Sequence, residues 1–328
     1  MVIITSKTFE LNTPVDMKYK EYSKYISRTN TVCFIHSCTF NNVHVLEELL
    51  DLIISSNAIN VIDMIHIINI GSKIIKLGDR FDNYDHKINV FNYSYNKLTY
   101  ELQTINFIHL FSLDYSNIKL LYLHTKGNSY NFVHQNIVDW KNLMLYFLIE
   151  KVHVCIKLLD HYDTVGINEH SGQNHHYSGN FWWANTNYIR KLNRIDTNIK
   201  HDAEFWLLSN KDVKLFTLYN SNVDHYIQSY PRHLYENINI DEKFKELKNN
   251  DNIEFAFYGI RHRFFDVKDI ILKNFISDNK IVIPTDVIFN NFFGDPYFGA
   301  KKYLFIKVAK KYYAIIENNP DGIIVPLE

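Results

Sequence analysis

The sequence predicts an α/β fold, a sheet of mainly parallel strands flanked by helices, followed by a small all-β sandwich. Three observations carry this. Short apolar runs rich in β-formers, at 31–38, about 61–70 and 118–123, alternate with longer stretches of helical spacing. Strand, helix and strand within some forty residues make a βαβ unit, which points to parallel pairing. From about residue 253 the rhythm changes to short runs broken by Tyr258-Gly259, Asp266-Val267 and Phe293-Gly294-Asp295-Pro296, a β-sandwich pattern. The charged, Asn-rich stretch before it, with Asp241-Glu242-Lys243 and Lys248-Asn249-Asn250, suits a linker. The expected division is 1–240, a linker over 241–252, and 253–328.

Composition bounds the function. With 328 residues, 46% of them apolar, there is room for one large and one small domain. A net charge of -1 lacks the basic footprint of a nucleic-acid binder, so no nucleic acid is expected as a partner. Cys33, Cys38 and Cys155 are too few and scattered for a disulfide framework, which favours a reducing, cytoplasmic compartment. Met1 to Pro14 does not read as a signal peptide, and no apolar run approaches ~18 residues, so no transmembrane segment is expected. The chain is rich in Asn, Ile, Lys, Tyr and Phe and has only 10 Gly, as in coding from AT-rich genomes such as those of large DNA viruses. No single Asn or Lys carries much meaning by itself.

Residues 31–38 read as the first core strand. Asn41 or Asn42 is expected to cap a helix carrying Val45, Leu46, Leu49, Leu50, Ile53 and Ile54 at helical spacing. A second strand ends at Gly71, and 88–93 adds a third. A helix over 97–112, bearing Glu101 and Thr104, leads into the strand 118–123, which closes abruptly in His124-Thr125-Lys126-Gly127. In an open α/β sheet the carboxyl end of a strand faces the ligand crevice, so these four residues are site candidates. On chemistry alone they are equally a solvated strand end.

A helix over 137–160 and a strand over 162–168 follow. The loop Glu169–Tyr177 holds His170, His175 and His176, which invite a zinc reading, but no pair has i,i+4 spacing and no cysteine lies nearby. A loop closing over substrate is the other reading. Adjacent Trp182 and Trp183, on a strand over 178–184, face opposite sides, so at least one belongs in the core. A short helix spans Asn185–Leu192, another opens at His201–Trp206, and Lys211–Asn220 forms one more strand. Asp202 and Glu204 lie in a first helical turn, where carboxylates commonly cap or meet the dipole. Arg232 or His233 is placed to reach a phosphate.

Leu123-His124-Thr125-Lys126-Gly127, then Trp140 and Met144, Tyr162 to Gly166, Ser178-Gly179-Asn180-Phe181-Trp182-Trp183-Ala184, and Glu204 with Trp206 resemble, in that order, viral and bacterial polysaccharide glycosyltransferases. The likeness spans roughly residues 30–235, is distantly similar to rhamnan-synthesis proteins, and is of the GT-A kind. It implies a GT-A-like (Rossmann-like) mixed sheet, a nucleotide-diphosphate-sugar donor, and a glycan or glycoprotein hydroxyl as acceptor. The chain departs from the family where Asp-x-Asp would hold a divalent ion: His124-Thr125-Lys126 stands there. The resemblance implies donor binding by His36, Ser37, His124, Thr125, Lys126 and Gly127, with Lys126 and His124 replacing the ion and no metal or other cofactor expected. Substrate contacts are implied for His176, Ser178, Gly179, Asn180, Trp182 and Trp183, one tryptophan stacking on a sugar ring unless both are core. Glu204 is the implied general base, with Asp202 as the alternative, and inversion is the favoured outcome. Glu101 and Thr104 receive only a nucleotide-side role. The last unit resembles a small β-domain at the carboxyl end of some DnaJ-like proteins, an accessory module. The rival expectation is a non-catalytic carbohydrate-binding or virion-associated protein, favoured by the loss of both carboxylates at 124 and 126.

Overall fold

A computed structural model describes the chain apart from residues 1–2, 6–13, 27–28, 39–42, 72–74, 76, 95–99, 128–133, 173, 198, 239–251, 261–262, 278–279, 286, 309–310, 318–321 and 328. It divides into two compact units, Met1–Ile238 and Asn239–Glu328.

The first unit is built on one eight-stranded sheet. In chain order its elements are β1 (Ile3–Thr5), α1 (Val15–Tyr22), β2 (Thr31–Cys38), α2 (His44–Ser55), β3 (Met64–Ile70), β4 (Ile88–Ser94), α3 (Leu102–Asp114) and β5 (Lys119–His124). Then come α4 (Gln135–Leu145), a π-helical turn (Tyr146–Glu150), α5 (Val152–Leu158), β6 (Thr164–Gly166), a hairpin of β7 (Glu169–His170) and β8 (His176–Tyr177), β9 (Trp182–Asn185), α6 (Thr186–Ile189), α7 (Asp202–Phe205) and β10 (Leu215–Thr217). Across the sheet the order is β1-β4-β3-β2-β5-β9-β6-β10. The pairs from β1 to β5 and the β6–β10 pair are parallel, whereas β9 runs antiparallel to both its neighbours. The sheet is therefore mixed, where the βαβ pattern alone pointed to parallel strands.

Burial follows the apolar pattern. In α2 the buried positions Leu46, Leu49, Leu50 and Ile53 form one stripe. Leu120 to Leu123 of β5 are fully buried, each contributing about 1.5–3 kcal/mol by its transfer from water. The single helix expected over 137–160 is three pieces, because at the π turn Lys151 N–H bonds back to Tyr146 O instead of continuing the α ladder. The strands expected over 162–168 and 211–220 shrink to three residues each, and α3 starts later than the expected 97. The caps expected at Asn41 or Asn42 lie outside the described residues. Glycine aside, left-handed backbone among the described residues falls mostly on asparagine, at Asn57, Asn117, Asn168, Asn180 and Asn222, which tolerates this region better than other side chains.

The second unit has two antiparallel sheets. One is ordered β12-β11-β15-β16, from β11 (Ile253–Ile260), β12 (Arg263–Asp266), β15 (Tyr303–Val308) and β16 (Lys311–Ile316). The other is β13-β14-β17, from β13 (Ile276–Ser277), β14 (Lys280–Ile283) and β17 (Ile323–Pro326). Both bury residues in one core that includes Tyr258, Ile281, Leu304, Ile306 and Val325. Two short helices, Lys268–Asn274 and Phe289–Phe293, add Ile271, Phe289 and Phe293 to it, so the unit is not wholly β as expected. Phe289 and Phe293 share one helical face at i,i+4, a spacing hidden inside a short aromatic run. Of the expected linker only Asn252 is described. No described helix is long and apolar enough to cross a membrane.

Candidate functional site

From β2 the chain crosses to β3 and β4 on one side, then returns to set β5 on the other side of β2. The carboxyl ends of β2 and β5 thus flank a topological switch point, where open α/β sheets place their ligand crevice. His36 and His124 are partners in register there. Thr125 N donates to His36 O at 3.0 Å, and Thr125 Oγ1 accepts from Cys38 N at 3.1 Å, tying the two strand ends together. His36 is buried and shares a 2.8 Å hydrogen bond between its Nδ1 and Thr104 Oγ1. Burial holds its pKa down to about 4, against the pull of Glu101, so the ring is neutral. Ser37 points to the other face and is fully buried, its Oγ without a partner. The expected donor contact at Ser37 is corrected: period-2 alternation turns it into the core.

Glu101, just before α3, is the anion of the site. Its Oε2 accepts from Tyr122 Oη at 2.8 Å and from Asn180 Nδ2 at 2.7 Å, and its Oε1 lies 3.9 Å from His124 Nε2. Burial pushes its pKa up, but His124, His36 and the two hydrogen bonds together outweigh that and leave it below the ordinary value. His124 Nε2 donates to Gly179 O at 3.0 Å, which puts the neutral ring's proton on Nε2. Burial lowers the His124 pKa, with Glu101 opposing. The residue just before α3 thus sets a carboxylate beside position 124.

Lys126 follows, with Gly127 at φ +89° turning the chain away. Lys126 Nζ sits 3.6 Å from the centroid of the Trp140 ring, a cation–π contact. Burial lowers its pKa to about 8, with Glu101 and Glu204 pulling it back up. Trp140 in turn stacks on His225, centroids 5.4 Å apart at 11°.

The Gly179-Asn180 turn packs against this group. Gly179 has φ +92°, and a Cβ there would meet Met144 Sδ at 2.5 Å and Trp140 at 3.2 Å, so only glycine fits. Asn180 spends its amide internally, on Glu101 and on Trp182 Nε1, which donates to its Oδ1 at 2.9 Å. The expected substrate contact of Asn180 is corrected to that of a brace. Trp182 and Trp183 are both buried. Trp182 packs on Tyr122 at 5.0 Å, and Trp183 Nε1 donates to Leu148 O at 2.8 Å on the other face. The expected sugar stacking by either is corrected: helices cover both faces of the sheet, so alternation finds no open side.

Glu204 lies in the single turn α7, partly exposed, with His201 Nδ1 at 3.6 Å. Its charge bears on both His124 and Lys126. Asp202 instead accepts from the Thr197 hydroxyl. Arg232, expected at a phosphate, is held by both oxygens of Glu150 at 2.7 and 2.6 Å.

The three loop histidines separate. His175 Nε2 meets Glu169 Oε1 at 2.9 Å, while His170 and His176 face each other across the β7–β8 hairpin with centroids 5.4 Å apart. Among the described residues no group of three or more His, Cys, Asp or Glu side chains is placed to hold a metal. His176 and Ser178 line a cleft of about 490 Å³, with Trp140 at one wall and the loops after β6 and β10 at the others. Asn168, Ser221 and His225 of those loops were not singled out from sequence, since the cleft is assembled from distant segments. For Glu101 a signal existed: Tyr122 stands two residues before His124, on the same strand face, and a buried phenol needs a partner.

Residues 33–236, more than half of the chain and all of this site, match the family model described as "Domain of unknown function (DUF8361)". No curated protein matches the chain.

Proposed function

The chain belongs to the DUF8361 family, and from its site we propose that it is a GT-A-type glycosyltransferase. It transfers a sugar from a nucleotide-diphosphate donor to a hydroxyl of a glycan or glycoprotein, with inversion and without a metal ion. The observation that supports this reading best is a partly buried lysine, Lys126, following paired His36 and His124 at the switch point of the sheet. A diphosphate leaving group needs positive charge where its own negative charge develops, and a cation already desolvated meets that need strongly.

The acceptor oxygen attacks the anomeric carbon as the bond from that carbon to the diphosphate oxygen breaks. Glu204 takes the hydroxyl proton. The diphosphate departs beside Lys126. His124, with Nε2 committed to Gly179, is left with Nδ1 for a ligand. Glu101 keeps this corner of the site anionic enough to hold Lys126 protonated.

The test is release of nucleoside diphosphate from a panel of nucleotide sugars, with and without EDTA. Release that survives EDTA is expected. Release abolished by EDTA and restored by manganese overturns the metal-free chemistry, and donor binding without release leaves a binding protein.

A further inference from the structure

We infer that the cleft beyond β6 and β10 binds a neutral saccharide, one without phosphate, sulfate or carboxylate. Resting on the proposed function, that saccharide is the acceptor. Its volume, about 490 Å³, lies within the range of small-molecule sites. Tyr226, 62% exposed, offers the cleft an aromatic wall, and the buried Trp140 supports it edge to face at 5.0 Å. Apolar C–H faces of sugars pack well on such a wall.

The charge of the lining selects against anions. Among the described residues that line the cleft there is no Lys or Arg, and its full charges are the carboxylates of Glu169 and Asp224. An anionic ligand would meet like charge and lose hydration without compensation. Nor is Glu169 free to attract a cation, since it is held by His175 and accepts from Thr217 Oγ1 at 2.7 Å.

What remains is a surface of amides and hydroxyls, already fixed in place. Asn168 Oδ1 accepts from Ser221 N at 2.8 Å and lies 3.0 Å from Ser221 Oγ, while Asn168 Nδ2 lies 3.2 Å from His225 Nε2. Groups preorganised in this way lose little freedom when a ligand's hydroxyls join them. Ser221 Oγ is also 2.8 Å from His225 Nε2, the spacing of a nucleophile and its base. Yet His225 Nδ1 is buried without a partner, so no carboxylate orients the ring as hydrolytic triads require. Trp140 joins the two places: Lys126 lies on its ring, and His225 of the cleft lining stacks on it.

The test is saturation-transfer NMR on the full chain without nucleotide. Lactose, cellobiose and chitobiose are the neutral probes; 3′-sialyllactose and glucose 6-phosphate are the anionic ones. The neutral probes are expected to bind, the anionic ones at least about tenfold more weakly, and Tyr226→Ala to cost the neutral probes about tenfold. Asn222→Lys, at the exposed rim, should narrow the gap. Equal binding of both classes, no binding of the neutral probes, or indifference to Tyr226→Ala in a folded variant overturns the assignment. Neutral binding without donor turnover sinks the transfer reading and keeps this one. Donor turnover with a preference for anionic saccharides does the reverse.

Discussion

Glu101 Oε1 and His124 Nε2 stand 3.9 Å apart, and the same carboxylate takes hydrogen bonds from Tyr122 and Asn180 through its other oxygen. One anion therefore joins the start of α3, strand β5 and the Gly179-Asn180 turn. Glu101→Gln keeps an acceptor for Tyr122 and Asn180 but deletes the charge. Because that charge raises the Lys126 pKa, the pH at which donor affinity declines should move down. An unmoved profile in a folded variant would make Glu101 purely structural.

Lys126 itself separates binding from stability. Its folded pKa, about 8, lies below the ordinary lysine value of 10.5, so the folded protein carries this charge at a cost below pH 8, and the cost fades as pH rises towards 10.5. Donor affinity of the free protein should therefore weaken as pH rises through about 8. Lys126→Met should melt no lower than the parent at pH 7 while turnover falls ~10²–10³-fold. A lower melting point with unchanged turnover would return Lys126 to a packing role.

The base assignment is tested by a pair of isosteric changes. Glu204→Gln should cost ~10²–10⁴ in rate with donor affinity unchanged. Asp202→Asn, at the Thr197 hydrogen bond, should alter stability more than rate. The opposite pattern would make Asp202 the base.

Acid stability should depend on His66. This ring is buried beside Phe34, stacked on Phe91 at 14°, and burial holds its pKa at about 3. The unfolded chain binds this proton below pH 6.5 and the folded one does not, so stability falls as pH drops from 6.5 towards 3. By pH 4 the loss is ~3 kcal/mol. His66→Gln cannot titrate, so its denaturation midpoint should change less between pH 7 and pH 4. Parallel curves for parent and variant would contradict this.

Much of the frame was legible in sequence. The apolar run before His124 marked β5, and the rule about strand ends drew attention to Lys126 before its partners were known. The reversal of β9 was not legible, because alternation in Trp182-Trp183 reports faces and not direction. The role of Glu101 was only half visible, since Tyr122 is 21 and Asn180 is 79 residues away along the chain. Both tryptophans went to the core for the same reason: how a sheet is covered is decided by elements far from the strand itself.

Asparagine at the left-handed turns has a consequence for substitution pathways. Asparagine codons are rich in A and glycine codons in G, so a chain coded with little G can meet left-handed positions with asparagine, the other residue that tolerates this backbone. At Asn57 and Asn222 a glycine would keep the left-handed backbone, at φ +61° and +57°. At Asn168 and Asn180 the amide has also become a fastener, to Ser221 and to Glu101, and a glycine would keep the turn while releasing the loop it holds.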